Sequence, residues 1–419
     1  MYQQSRNGHF LPGITIVPPP PGGETEVRPT AVPVWVGWYE SYTLSCEVLW
    51  QPVSSWTDYT ALSKGRSWRG VENAVWLYFL NGGELGYVML LPLLPADLVV
   101  QRALSLEILL AKPSTWINAL HEDRVSLITL PLLQEWLECE GASASDVAQH
   151  YISLWAAVLR ATAERTDWFF VVDIPRELKA ARECVKQLSA NNPWRARGEH
   201  VAVYGPHLVL LGGGVVAPSG AVCGVMARVD AEHGIWKAPA NEPVAGVQGV
   251  EYREDQLFDG FAGAELPINL IRRVPGQARA VKVWGCRTLT PHSHCRYVQV
   301  RRTVTWIEHQ LRAICQFAVF EPNTLLTWLR LRTSCEAWLR RLWEEGGLMG
   351  AEESHAFLVE VGLGVTMTAV EVAAGEIRVK VGIAVLQAAE FLDVHVTLNR
   401  GQSVTVGLQP STMAFEGGV

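Results

Sequence analysis

The chain is short of charge. Only 18% of its 419 residues are Asp, Glu, Lys or Arg, against about 25% in an ordinary soluble domain. With 49% of the residues hydrophobic, that shortage excludes intrinsic disorder, which needs low hydrophobicity and high net charge. Positive charge is scarcer still: Lys+Arg 35 against Asp+Glu 42 gives a net −7. A global field that draws the protein to nucleic acid or anionic lipid is therefore excluded. Cys46, Cys139, Cys184, Cys223, Cys286, Cys295, Cys315 and Cys335 are scattered without a CxxC pair, which fits reduced, mostly buried thiols and not a disulfide framework. The opening MYQQSRNGHFLPGITIV lacks the basic-then-apolar pattern and cleavage site of a signal peptide. No internal repeat and no long heptad run is present.

An unbroken apolar run is missing too. Residues 201–227 carry no formal charge, but Gly205-Pro206, Gly212–Gly214 and Pro218-Ser219-Gly220 cut them into pieces. These punctuators predict strand, loop and a short buried helix, so no membrane span is expected. What is abundant is tryptophan, with seventeen. A chain so rich in large apolar bodies and so poor in charge has either a large core or extensive burial on other subunits. Its length exceeds what one core usually serves, so two domains are expected.

Residues 1–35 read as an extended arm, because Pro12, Pro18–Pro21, Pro29 and Pro33 forbid helix there. Within the arm, Gly13, Ile14, Thr15, Ile16 and Val17 form a short β-type run suited to pairing with another chain's sheet edge. Strands are predicted at Val34–Trp38, Tyr87–Leu91 and Trp168–Val172, the last ending at Asp173. A helix over Val71–Leu80 is closed by Asn81-Gly82-Gly83. Further helical patterns at about 97–111, 129–139, 146–165 and 175–189 alternate with these strands and predict a mixed α/β fold.

The second half predicts a helix over 303–318, with Val304, Ile307, Leu311, Ile314 and Ala318 on one face. Another spans 324–345, with Trp328, Leu331, Cys335, Trp338 and Leu342 widened by Leu325, Leu329, Leu339 and Trp343. Arg330 and Arg341 lie eleven residues apart, close to three turns, and project together from the opposite face. The reading of that pair stays open between a solvated face and a docking face for an acidic partner. Strands follow at Ala356–Val361, Glu376–Val385, Val394–Leu398 and Ser403–Leu408.

Candidate chemistry is thin. His292, His294 and Cys295, with Cys286 nearby, lack the second ligand pair of a structural zinc site. Leu208–Leu211 before Gly212-Gly213-Gly214 resembles a strand entering a phosphate loop, yet has neither Gly-Lys-Ser/Thr nor GxGxxG. Asp173 after its apolar strand suits Mg²⁺ only beside such a loop. Ser219 is in Pro-Ser-Gly, not in GxSxG, and reads as a helix N-cap. A nucleotide- or metal-dependent α/β enzyme built on Gly212–Gly214 or His292–Cys295 is the alternative reading.

One passage carries more. Asp230-Ala231-Glu232-His233-Gly234-Ile235-Trp236-Lys237-Ala238-Pro239-Ala240-Asn241 resembles the "D-x-x-x-G-x-W-K-A-P-A-N" segment of contractile tail sheath proteins, with Gly234, Trp236, Lys237, Ala238, Pro239 and Asn241 as its marks. These proteins occur in contractile phage tails, R-type bacteriocins and extracellular contractile injection systems. Pro218-Ser219-Gly220, Gly224 and Ala227 resemble the helix leading into that segment. In the family's order, Asn73–Val88 resembles an "F-x-N-G-G" unit and Asp173-Ile174-Pro175 its "D-x-P". Ile268–Arg272 resembles "I-N-x-I-R", Val283–Leu289 "W-G-A-R-T-L", Arg296–Arg302 "R-Y-V-N-V-R-R" and Phe320–Asn323 "F-E-P-N". The matches span about residues 70–390.

The resemblance implies a structural, non-enzymatic subunit without cofactor or bound metal. Such subunits stack as hexameric rings around an inner tube and contract to drive it through a target envelope. It implies an N-terminal arm at 1–35, an outer α/β domain at 36–255, an inner C-terminal α/β domain at 256–391 facing the tube, and a C-terminal arm at 392–419. Gly13–Val17 and Val394, His395, Val396, Thr397 and Leu398 would be strands added to neighbours' sheets, and Arg330 and Arg341 would mark the tube-facing helix. Implied partners are copies of itself and sheath paralogues, the inner tube, baseplate and tail-terminator proteins, with no nucleic acid. Assembly would be cytoplasmic, before incorporation in a virion tail or a released particle. On this reading much of the apolar excess is expected at contacts between subunits.

Overall fold

A computed structural model describes residues 29–40, 47–64, 66, 68–93, 106–136, 143–252, 256, 268–273, 280–290, 293–386, 391–398 and 405–410. β1 (Pro33–Glu40) is followed by β2 (Leu49–Val53), α1 (Trp56–Ser63), β3 (Trp68–Arg69), α2 (Glu72–Leu80) and β4 (Gly86–Leu93). Then come β5 (Leu127–Thr129), α3 (Ala144–Ala161), β6 (Phe169–Asp173), α4 (Leu178–Ala190) and β7 (Val201–Gly205). The hairpin of β8 (Leu208–Leu210) and β9 (Val215–Val216) leads to α5 (Ser219–His233). β10 (Glu242–Pro243), β11 (Val247–Val250), β12 (Ile268–Arg273) and β13 (Val281–Val283) complete this part.

Among the described residues ten strands form one sheet, ordered β10-β13-β12-β7-β6-β5-β1-β4-β2 with β3 paired to β1. Its centre, from β12 through β7, β6, β5 and β1 to β4, is parallel. β6 (Phe-Phe-Val-Val-Asp) and β7 (Val-Ala-Val-Tyr-Gly) are buried at every position, as strands covered on both faces should be. Val172 and Val203 face the core under α3 and α4, while Val171 and Ala202 face the core under α2 and α5.

Close packing of α2 on α5 depends on missing side chains. A Cβ on Gly220 would meet the Ala74 carbonyl oxygen at 2.3 Å, and one on Gly224 the Tyr78 oxygen at 2.5 Å. The Asn81 that ends α2 is buried and reaches across: its Nδ2 donates to the Ala245 carbonyl at 3.3 Å, and its Oδ1 accepts from the Ala245 N–H at 2.8 Å. Those contacts account for Asn81, Gly220 and Gly224 in the motifs.

The remaining chain builds a second layer. α6 (Val298–Cys315) and α7 (Leu325–Glu344) pack on an antiparallel sheet of β14 (Phe357–Val361), β15 (Ile377–Ala384), β16 (Phe391–Leu398) and β17 (Thr405–Pro410). β15 alternates as a one-sided strand should: Ile377, Val379, Val381 and Ile383 enter the core, while Arg378 and Lys380 point away. Lys380 meets Glu360 on β14 at 3.3 Å.

Several expectations change. Ala31 to Trp35, placed in the N-terminal arm, are buried, and β1 lies inside the large sheet. Pro33 is tolerated as the first residue of its strand. β12 and β13, assigned to the inner domain, pair with β7 and β10 in the large sheet, and the second core begins at Cys295. The apolar excess is already consumed to a large extent within the chain, since Trp35, Trp116, Trp155, Trp168 and Trp194 are fully buried in it. Among the described residues no helix is long and apolar enough to cross a membrane.

Candidate functional site and assembly surfaces

The motif residues form a joint between the two layers. α5 ends at Gly234, whose positive φ of 87° places it in a region that favours glycine. A Cβ there would strike the Trp236 ring at 2.4 Å. Trp236 packs against the second core, while Pro239 is buried and Lys237 is exposed. Asn241 also takes a positive φ, 63°, and its Oδ1 accepts from Lys282 Nζ at 3.0 Å. Asp230, on the last turns of α5, holds Arg302 of α6 through two bonds of 3.1 and 2.5 Å. These side chains are only 5% and 3% exposed. Arg302 also donates to the Thr30 carbonyl at 3.0 Å, just before β1. A bidentate, desolvated pair of this kind fixes orientation as well as distance.

Beside it, Arg301 is buried and donates to Glu308 at 3.1 Å and Thr305 Oγ1 at 3.0 Å. Burial works against its charge, but Glu308, the Cys295 thiol and Glu199 outweigh that and raise its pKa. The remaining motifs are likewise structural. Asn269 donates to the Arg287 carbonyl at 2.8 Å and accepts from the Arg287 N–H at 2.6 Å. Asn323 ties Val372 and Glu376 carbonyls to the start of α7, and its Oδ1 accepts from Trp328 Nε1 at 2.7 Å.

Arg330 and Arg341 both lie on the exposed side of α7. Arg330 stacks over Phe317 at 4.9 Å and lies 3.5 Å from Glu321. Leu325 and Leu329, expected in the buried stripe, are exposed instead, because only one face of α7 meets the sheet. With Leu326 (69% exposed) and Phe320 (94%) they make an apolar end to the helix. The 362–376 segment bound there through Asn323 adds exposed Leu363, Val365 and Val370.

Val394–Leu398 lie in β16, where they pair with β15 on one side and β17 on the other in the same chain. β14 has only β15 as a strand neighbour among the described residues, and so offers a free edge. Gly13–Val17 and His292 fall outside the described residues.

The enzymatic alternative loses its phosphate loop. Gly212–Gly214 form the tip of the β8–β9 hairpin, and a Cβ at any of them would meet nothing within 4 Å. That tip precedes a strand, not a helix whose N–H groups would cradle phosphate. Asp173 is occupied as well: its Oδ1 accepts the Ser219 N–H at 2.7 Å and so caps α5 from across the sheet. The expected Ser219 cap is thereby replaced, and the Ser219 hydroxyl is buried without a partner. Cys295 is buried, with Arg301 donating to its sulfur at 3.9 Å. Among the described residues no three His, Cys, Asp or Glu side chains group as metal ligands.

Comparison with known proteins finds a family model and several solved structures similar to this chain. The family model for the phage tail sheath C-terminal domain matches residues 290–399. The anti-feeding prophage (AFP) baseplate in its contracted state contains a chain with 27% identity and a TM-score of 0.74, covering 91% of this chain and 97% of that one. The AFP helical sheath in its contracted state gives 28% identity and a TM-score of 0.65, over 93% and 98%. The PVC sheath complex of an extracellular contractile injection system, also contracted, gives 27% and 0.64, over 93% and 96%. No curated protein matches the sequence. With a match to the sheath C-terminal domain at 290–399 and the fold of contractile sheath chains along nearly its whole length, the chain is similar to contractile tail sheath proteins.

Proposed function

We propose that the chain is a structural subunit of a contractile sheath, assembling with copies or paralogues of itself around an inner tube and against a baseplate. The observation that carries this is the likeness to sheath chains over more than nine-tenths of the sequence. The subunit contributes mechanical work through assembly, without catalysis. Hexameric rings are its expected arrangement, and the energy of contraction is stored in contacts between subunits.

Two surfaces support the reading. The free edge of β14 accepts a strand by main-chain hydrogen bonds, and the proline-bearing arm with Gly13–Val17 supplies one; β16 and β17 are candidates for exchange with a neighbour. The apolar end of α7 is the kind of patch that marks an interaction site, with Arg330 and Arg341 beside it for an acidic tube surface. Exposed charge pairs are individually weak, about 0–1 kcal/mol, which suits a contact released on firing. Departures at the ends, the proline run before residue 30 and the strands beyond Phe391, fit a paralogue placed at a special ring. Deleting residues 1–17 should leave a folded subunit that cannot join a sheath. Normal sheaths from that truncation would refute strand exchange by the arm.

A further inference from the structure

The assembly role leaves one feature of the large sheet unused. A cavity of about 480 Å³ opens at the carboxyl ends of β5, β6 and β7, within the size range of small-molecule sites. The chain leaving β6 turns to α4 on one face of the sheet, and the chain leaving β7 runs through the β8–β9 hairpin to α5 on the other. Divergent crossovers of this kind open the crevice in which open α/β sheets hold ligands.

The walls are mixed: Leu130, Leu133, Ile174 and Leu178 are apolar, but several polar atoms among the other lining residues lack partners. His207 is 2% exposed and its Nδ1 has no hydrogen-bond partner. Glu251 uses Oε1 to accept from Arg176 at 3.0 Å, but its Oε2 is buried and unsatisfied, as is the Tyr252 hydroxyl. All three residues line the same cavity, with Tyr151 and Asp173 behind them. Burial, reinforced by the Arg176 charge, pushes the His207 pKa down to about 3, so the imidazole is neutral at physiological pH. Each orphaned polar atom is destabilising while it stays dry and unpaired.

These groups select a ligand class. An anion would face Asp173, Glu177 and Glu251 with Arg176 already engaged. A cation would have to displace Arg176 from Glu251 at 3.0 Å, and Asp173 is already bonded to the Ser219 N–H. An apolar molecule would leave the orphans unpaired. A neutral molecule with several hydroxyls can donate to Glu251 Oε2, donate to and accept from the Tyr252 hydroxyl, and pair with His207 Nδ1 in either tautomer, because a hydroxyl is both donor and acceptor. We propose that this crevice binds a small neutral polyol of mono- or disaccharide size, held by Glu251, Tyr252 and His207.

Isothermal titration of the purified full chain with D-glucose and sucrose tests it, with putrescine and inorganic phosphate as charged probes. Saturable binding of a sugar is expected, weakened about five- to tenfold by Tyr252→Phe, which removes the hydroxyl's hydrogen bond, or by Glu251→Gln, which replaces a charged acceptor with a neutral amide. Circular dichroism of each variant should match the parent. No saturable heat with either sugar, tighter binding of putrescine or phosphate, or sugar binding unchanged in both variants would overturn the assignment. So would a flat sugar response in the subunit combined with hydrogen-exchange protection of 251–252 only in the assembled state, which would assign the crevice to a neighbouring copy. Because binding is read on the isolated subunit, its failure would leave the sheath reading untouched.

Discussion

The Asp230–Arg302 pair is the most direct mechanical link between the two layers, and its energetics can be worked from the geometry. Both side chains are almost wholly buried, at 5% and 3% exposure, so water cannot replace a lost partner. Arg302→Leu strands the Asp230 carboxylate and frees the Thr30 carbonyl to which Arg302 donates. Breaking a buried pair from one side costs about 3–5 kcal/mol, chiefly as the penalty for an uncompensated charge. Asp230→Asn should cost less than a full truncation, because its carboxamide oxygen still accepts from the guanidinium. In the double variant no buried charge remains, so its loss should fall well short of the sum, with a coupling of at least about 2 kcal/mol. Urea unfolding followed by tryptophan fluorescence reads these values. Arg302→Leu should also split the transition, since α6 is then less firmly held to α5. Losses below about 1 kcal/mol that simply add would class the pair with exposed salt bridges and refute the joint.

Other outcomes follow from individual contacts. Burial, offset in part by the Ser219 N–H, raises the Asp173 pKa to about 7 from an ordinary 3.8. Between those values the unfolded chain releases a proton that the folded one keeps, so stability falls as pH rises and levels off above 7. Asp173→Asn removes this dependence while keeping an acceptor for the Ser219 N–H. Relative to the parent it should gain about 3 kcal/mol between pH 5 and pH 8, measured by urea unfolding at both; no change in the difference would refute the shift. Gly224→Ala should destabilise by about 1–3 kcal/mol, because its methyl meets the Tyr78 carbonyl oxygen at 2.5 Å, and a neutral thermal melt would contradict it. Leu326→Asp with Leu329→Asp should leave the melt of the subunit unchanged while lowering sheath yield in electron micrographs; normal yield would make the α7 patch incidental. Arg330→Glu with Arg341→Glu should weaken assembly templated by the tube, and unchanged assembly would leave these residues as a solvated face.

How much of this was legible depended on whether the signal was local. The alternation of strand and helix through 169–190 was, because Phe-Phe-Val-Val before Asp173 is apolar throughout and α4 is amphipathic. β15 was legible through its period-two pattern. The start of α6 was not: the helix begins at Val298, not 303, and its first turns bury Gln299, Arg301, Arg302, Thr303 and Thr305. Buried polar residues, such as Arg302 held by the distant Asp230 and Thr30, erase the apolar periodicity on which a helix prediction rests. Leu325 and Leu329 failed in the opposite direction, since spacing alone cannot say how wide a stripe the neighbour covers. The Asp173 cap on α5 and the crevice lined by residues from 130 to 252 join positions far apart in sequence, and only the sheet brings them together. The motif series located the joint residues without showing why they matter; Gly234 under Trp236 and Asp230 against Arg302 supply the reason.

The central claim is that this chain is a sheath subunit. Its most direct test is electron microscopy of the full chain co-expressed with a tube protein from the same source. Striated sheath segments around the tube, with α7 toward the lumen and strands shared at the β14 edge, are the predicted result. A chain that stays monomeric beside well-formed tubes, at concentrations where apolar patches on sheath subunits should associate, would contradict the account.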